Sequence, residues 1–151
     1  MEKMRLMLVD DEKRFLETTS KLLAKRGYEA LTATSGADAL DILKGKNVHV
    51  IILDVKMPGM DGIATLKEIK RLYPLVEVIM LTGHGTVESA VDGLKSGATD
   101  YLTKPADIDE LVQKAEEAFE KRLRLEEKIR MAQTRKIMKS PRAIIREGEG
   151  A

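Results

Sequence analysis

The chain has 151 residues, 43% of them apolar and 34% charged, with a net charge of +1, a length that suits one globular domain with a sizeable core rather than two. It contains no cysteine, which excludes a disulfide framework and a thiolate metal site and is compatible with a reducing compartment. The near-neutral total hides a split: residues 1–120 carry 16 Lys/Arg against 21 Asp/Glu and residues 121–146 carry 10 against 2, so a basic tail follows an acidic body.

Met4 to Val9 reads as a first strand. Its apolar part, Leu6 to Val9, is too short for a signal peptide or a membrane span and runs directly into Asp10-Asp11-Glu12, so a soluble, cytoplasmic protein is expected. Phe15, Thr19, Leu22 and Leu23 recur at helical spacing and stop at Gly27, a left-handed C-cap. Tyr28 to Ala33 is strand-like. Ser35 then caps a helix bearing Ala39, Leu40 and Leu43 that ends at Gly45. Val48 to Leu53 is a continuous apolar run, as expected of a strand covered on both faces, and Asp54 closes it.

Met57-Pro58-Gly59-Met60-Asp61-Gly62 is turn chemistry, and Ile63, Leu66, Ile69 and Leu72 form a helical stripe ending before Pro74. Val76 to Leu81 is the fourth strand, with Thr82 after it. Thr86 is placed to cap a helix bearing Val87, Ala90, Val91 and Leu94, closed by Gly97. Ala98 to Leu102 gives a fifth strand before Lys104-Pro105, and Asp107 with Glu110 matches a capping box with Asp in place of Ser or Thr.

Five strands alternating with five helices predict an α/β domain, a doubly wound parallel sheet with helices on both faces. Ligands of such sheets bind beyond the carboxyl ends of the strands, where Asp10, Asp11, Asp54, Thr82 and Lys104 would meet. Taken singly, each has an ordinary structural explanation as an N-cap, a turn former or a strand-end residue. Together, on four strand ends, they describe a pocket. Three carboxylates within about 4 Å repel by roughly 4 kcal/mol per pair at an effective dielectric near 20, a penalty that a divalent cation removes. Oxygen ligands favour Mg²⁺; the His and Cys set of zinc is missing. A carboxylate also serves as a nucleophile toward phosphorus, and Asp54 is placed for that, with Lys104 and Thr82 as charge-neutralising and hydroxyl donors. His49, within a strand, reads as structural, and His84, between two glycines, as a solvated loop residue.

Four segments carry a resemblance: Leu8-Val9-Asp10-Asp11-Glu12, Ile52 to Gly62, Leu81-Thr82-Gly83 and Gly97 to Pro105. In this order they closely resemble the receiver domain of two-component response regulators over about residues 4–120. The Leu81-to-Lys104 segment is most similar to receivers of enhancer-binding transcriptional activators. The resemblance implies a flavodoxin-like five-stranded sheet of order 2-1-3-4-5. It implies that Asp54 accepts a phosphoryl group from a histidine kinase or phosphotransfer protein, with Asp11, Asp54 and the backbone carbonyl of Lys56 on Mg²⁺ and Asp10 acting through a metal-bound water. Lys104 would pair with the phosphoryl group, Thr82 and Tyr101 would form the conformational switch, and the Lys104-Pro105 bond would be cis. Lys56 and His84 occupy places that tune dephosphorylation. Such a protein is not an enzyme with an external substrate; it catalyses only its own phosphorylation and dephosphorylation.

Past Asp107 the helical pattern outruns a normal terminal helix. Ile108, Leu111, Ala115, Ala118, Arg122, Leu125, Ile129 and Ala132 alternate spacings of three and four, a weak heptad seam. Residues 121–139 are therefore expected to be a helical extension that packs on its own domain or forms a homodimeric coiled coil, and residues 140–151 a disordered tail. Three other classes fit less well. A phosphatase of the haloacid dehalogenase type carries a second Asp two residues after its nucleophile, where this chain has Lys56. A flavin module needs a phosphate cradle of backbone amides where this chain has Asp-Asp-Glu. A nucleic-acid or partner-binding module would use the basic helix, but no zinc-finger or RNA-binding signature accompanies it and nucleic acid is not expected for this chain alone.

Overall fold

The continuous aliphatic runs form the middle of the sheet. In the computed structural model, which describes residues 3–56, 61–83 and 87–139, β1 (Leu6–Val9), β3 (Val50–Asp54) and β4 (Glu77–Thr82) are buried at every position. That is the state of strands covered on both faces. β2 (Ala30–Ala33) and β5 (Asp100–Thr103) are only partly buried and lie at the edges. All four pairings are parallel and the order is β2-β1-β3-β4-β5, as the flavodoxin-like expectation required.

Side-chain alternation along the strands divides the core in two. Met7, Val9, Ile51, Leu53, Val78 and Met80 face the side covered by α2 (Gly36–Gly45) and α3 (Gly62–Leu72), against Ala39, Leu43, Leu66 and Ile69. Leu6, Leu8, Val50, Ile52, Ile79 and Leu81 face α1 (Lys13–Lys25) and α5 (Ile108–Lys139), against Leu16, Leu23, Leu111, Ala115 and Ala118. Each such Leu or Ile contributes about 1.5–3 kcal/mol of burial, and a slip of one residue in any central strand would exchange the two faces.

Several helical stripes differ from the sequence pattern. α1 buries Leu16, Thr19 and Leu23, so Leu22 is 40% exposed. Leu72, Val91 and Leu94 are exposed as well. α4 (Val87–Lys95) turns Ala90 and Gly93 inward instead, and a Cβ on Gly93 would stand 3.1 Å from Met80 Cγ. Small residues there let α4 lie close to the sheet. The punctuation holds: Ser35 Oγ accepts the Asp38 N–H at 3.0 Å, Asp61 caps α3 from the Ala64 N–H at 2.7 Å, and Gly27 takes φ +85°. Thr86 and residues 57–60 lie outside the described residues, as does the predicted tail of residues 140–151. The Lys104-Pro105 bond is cis.

α5 runs unbroken through residue 120. Its seam faces its own sheet at Leu111, Ala115, Ala118 and Arg122, whereas Ile129 and Ala132 are exposed. At the amino end of the sheet, Arg122 Nη1 donates to the Leu75 carbonyl at 2.9 Å and its Nε to Glu126 Oε1 at 2.7 Å. Beside it, Lys70 Nζ donates to the carbonyls of Pro74 (2.7 Å) and Val76 (2.9 Å). Glu77, buried at the start of β4, accepts from the Thr99 hydroxyl and pairs with Lys121 at 3.6 Å.

Candidate functional site

At the opposite, carboxyl end, strand register aligns the chemistry. Val9 pairs with Leu53 and Thr82 with Thr103, so Asp10, Asp54, Thr82 and Lys104 emerge along one edge. Asp54 is the last residue of β3 and Thr82 the last of β4, so both strands end one place later than the apolar runs suggested, because the pairings continue through Asp54↔Leu81 and Thr82↔Thr103. The backbone fixes both acids. Asp10 Oδ1 accepts the Glu12 N–H at 2.9 Å, and Asp54 Oδ1 accepts the Lys56 N–H at 3.3 Å.

Gly62 sets the floor under Asp54. Its N–H donates to the Val55 carbonyl at 3.0 Å, and a Cβ there would stand 2.5 Å from both the Asp54 carbonyl oxygen and Val55 Cα. Any side chain would displace the end of β3.

Asp10, Asp11 and Asp54 offer carboxylate oxygens all within 4.8 Å of one another, with Asp10 and Asp54 buried and Asp11 exposed. Among the described residues, the ammonium of Lys104 answers them. Lys104 Nζ lies 2.6 Å from Asp10 Oδ2, 3.4 Å from Glu12 Oε1 and 4.0 Å from Asp54 Oδ2. Asp10 Oδ2 is buried without a well-directed hydrogen bond, so its contact with the ammonium is mainly electrostatic.

The charge imbalance registers on Asp54. Burial first, then the neighbouring charge of Asp10 and to a lesser degree Asp11, raise its pKa to about 6, against the opposing pull of Lys104 and the Lys56 N–H. On Lys104, burial favours the neutral amine, but the close contact with Asp10 and the charges of Asp10, Asp54 and Glu12 outweigh it and hold its pKa above the usual lysine range. An all-oxygen donor set, a buried carboxylate oxygen lacking a directed partner and a surplus of negative charge together fit a hard divalent cation such as Mg²⁺.

The remaining predicted residues fall as follows. Thr82 is buried, and its hydroxyl donates to the Leu102 carbonyl at 3.3 Å. Tyr101 stands at the surface, 41% exposed. Lys56 is exposed at the rim, and His84 lies outside the described residues. His49 is structural, as expected: its Nδ1 accepts the Arg5 N–H at 2.9 Å and its ring packs on Phe119 at 5.0 Å, at the far end of the sheet. Sequence reasoning missed Glu12 and Phe15 as neighbours of Lys104, and Gly62 as the residue that seats Asp54.

Comparison with known proteins matches residues 6–116 to the family described as Response regulator receiver domain. The chain is 43% identical over 117 residues to the transcriptional regulatory protein ZraR of Salmonella typhimurium, covering 78% of this chain and 26% of that protein. It is 40% identical over 119 residues to the DNA-binding transcriptional regulator NtrC of Escherichia coli, covering 79% and 25%. The chain thus spans about a quarter of the length of these relatives. Among solved structures, the receiver domain of NtrX from Brucella abortus is similar with a TM-score of 0.72 at 35% identity, over 76% of this chain and 98% of that one. A CheY-like receiver domain protein from Methanospirillum hungatei gives 0.77 at 28%, over 82% and 98%.

Proposed function

Because the chain belongs to the receiver-domain family of two-component response regulators, we propose that Asp54 is its phosphoacceptor. The observation that carries this is the seating of a buried Asp54 within a group of three carboxylates, with a lysine ammonium 4.0 Å away. An Asp54 oxygen attacks the phosphorus of a phosphohistidine on a histidine kinase or phosphotransfer protein. The P–N bond breaks and its electron pair returns to the imidazole nitrogen, which takes up a proton. Lys104 offers N–H donors to the phosphoryl oxygens.

Asp11, Asp54 and the Lys56 carbonyl would hold Mg²⁺, with Asp10 acting through water. When bound, the ion supplies charge neutralisation and orientation for the incoming phosphoryl group. The surplus negative charge on the metal-free site supports this assignment. Lys56 and His84 are the rim positions proposed to tune dephosphorylation.

Thr82 and Tyr101 form the proposed switch. The Thr82 hydroxyl, bonded to Leu102 in the resting protein, would turn to a phosphoryl oxygen, and Tyr101 would move from its exposed position inward. Two charge-assisted contacts, from Thr82 and Lys104, supply about 3–6 kcal/mol. About 5.5 kcal/mol carries a population from 1:99 to 99:1, so the pair suffices only if both contacts are new in the active form. Residues 121–139 are the proposed route to output, as a helical extension that can pair with a second copy. No helix among the described residues is long and apolar enough to cross a membrane.

The test is intact-protein mass after incubation with acetyl phosphate. One phosphoryl adduct that requires both Mg²⁺ and Asp54, and is absent from Asp54→Asn, supports the proposal. An adduct that persists in Asp54→Asn overturns it.

A further inference from the structure

The Lys104 ammonium touches more than carboxylates. It lies 4.7 Å from the centroid of the Phe15 ring, inside the roughly 6 Å range over which an aromatic face attracts a cation. Phe15 sits in the first turn of α1, half-buried against the core layer that includes Leu8, Leu102 and Leu111. Its backbone is therefore fixed by the helix and its ring by packing, whereas Lys104 reaches the site on a flexible four-carbon stem. The ammonium donates a hydrogen bond to Glu12 Oε1 (3.4 Å) and lies in ion-pair contact with Asp10 Oδ2 (2.6 Å), and Asp54 stands beyond them at 4.0 Å.

We propose that Phe15 is a positioning residue for phosphoryl transfer, its ring face holding the Lys104 ammonium beside Asp10 and within reach of a phosphoryl group on Asp54. The inference rests on the phosphoacceptor reading of Asp54 and adds to it a residue that never touches the phosphoryl group. Without the ring, the ammonium is drawn only by carboxylates, one of them the exposed Glu12, and spends more time on the rim side of the pocket. A ring of the same size keeps the lysine centred. An aliphatic side chain fills the same core space but offers no negative face.

Leucine and tyrosine therefore separate positioning from packing. Phosphorylation rates with acetyl phosphate and Mg²⁺ are measured for wild type, Phe15→Leu and Phe15→Tyr, each also with Lys104→Ala. The expected result is a loss of about fivefold in Phe15→Leu, equal to about 1 kcal/mol at 1.36 kcal/mol per tenfold, with Phe15→Tyr close to wild type. In the Lys104→Ala background the leucine substitution should have no further effect, the non-additivity expected of two groups acting through one contact. An equal loss in both backgrounds, or equal losses for leucine and tyrosine, overturns the proposal.

Proton NMR of the metal-free protein gives a readout independent of phosphorylation. The Lys104 side-chain protons should be shifted upfield by the ring in wild type and Phe15→Tyr and return to ordinary positions in Phe15→Leu; ordinary positions in wild type also overturn it. If wild type forms no Asp54-dependent adduct, the phosphoacceptor reading fails, and the NMR comparison still decides whether Phe15 holds the lysine.

Discussion

The two ends of the sheet both bury charge, and they resolve it in opposite ways. At the amino end, the buried carboxylate of Glu77 meets Lys121 and the Thr99 hydroxyl, while the Lys70 and Arg122 side chains donate to three successive carbonyls, Pro74, Leu75 and Val76. At the carboxyl end, Asp10, Asp11 and Asp54 crowd around one lysine. The first arrangement has cations and acceptors in balance and serves as a fastening. The second is left electrically incomplete, with negative charge in surplus, and a bound cation can supply what the fold omits.

This contrast predicts stability effects of opposite sign. Glu77→Ala removes the carboxylate that the amino-end cations surround and should destabilise the protein by on the order of 3 kcal/mol in urea unfolding. A loss below about 0.5 kcal/mol would mean that the cluster is not balanced around Glu77. Asp54→Asn should instead stabilise the metal-free protein above pH 6, by on the order of 2 kcal/mol. The sign follows from the raised pKa of about 6. Between about pH 4 and 6 the folded state holds a proton that the unfolded chain has released, so wild-type stability falls as pH rises through that window. Asp54→Asn should lose that slope, and an unchanged slope would place the strain elsewhere.

Mg²⁺ sharpens the comparison further. At ten times its Kd it should stabilise wild type by about 1.4 kcal/mol, with a larger gain above pH 6 than at pH 5 and a clearly smaller one in Asp54→Asn, all readable by thermal melts. The amino-end variants should keep the full Mg²⁺ increment. The smallest effect expected is that of Arg122→Lys, about 1 kcal/mol, because an ammonium cannot reach Leu75 and Glu126 with the geometry of a guanidinium fork.

The carboxyl end was far more legible in the sequence than the amino end. Asp10, Asp54, Thr82 and Lys104 each follow or end an apolar run, so one topological rule brings them together. Glu77 sits inside such a run, between Val76 and Val78, where the continuous apolar pattern hid it; an acid within a buried strand was the available signal. Arg122 stands in the sequence as one position of a weak heptad seam, yet it is the residue that seats the helix, since its guanidinium reaches a carbonyl 47 positions back in the chain. No local pattern encodes a contact of that range. The exposure of Leu22 and Leu94 has a simpler cause: a helix with an apolar residue on each side of its stripe presents one of them to solvent, and periodicity alone does not say which.

The unbroken α5 has the form of a lever with Arg122 as its pivot. From there to Lys139 the helix extends about 26 Å at 1.5 Å per residue, with Ile129 and Ala132 exposed along it. A tilt of about 5° at the pivot would sweep the far end through roughly 2 Å, a displacement comparable to the helix shifts by which interfaces change partners. A rearrangement too small to disturb the core would thus be mechanically amplified along the length of the helix.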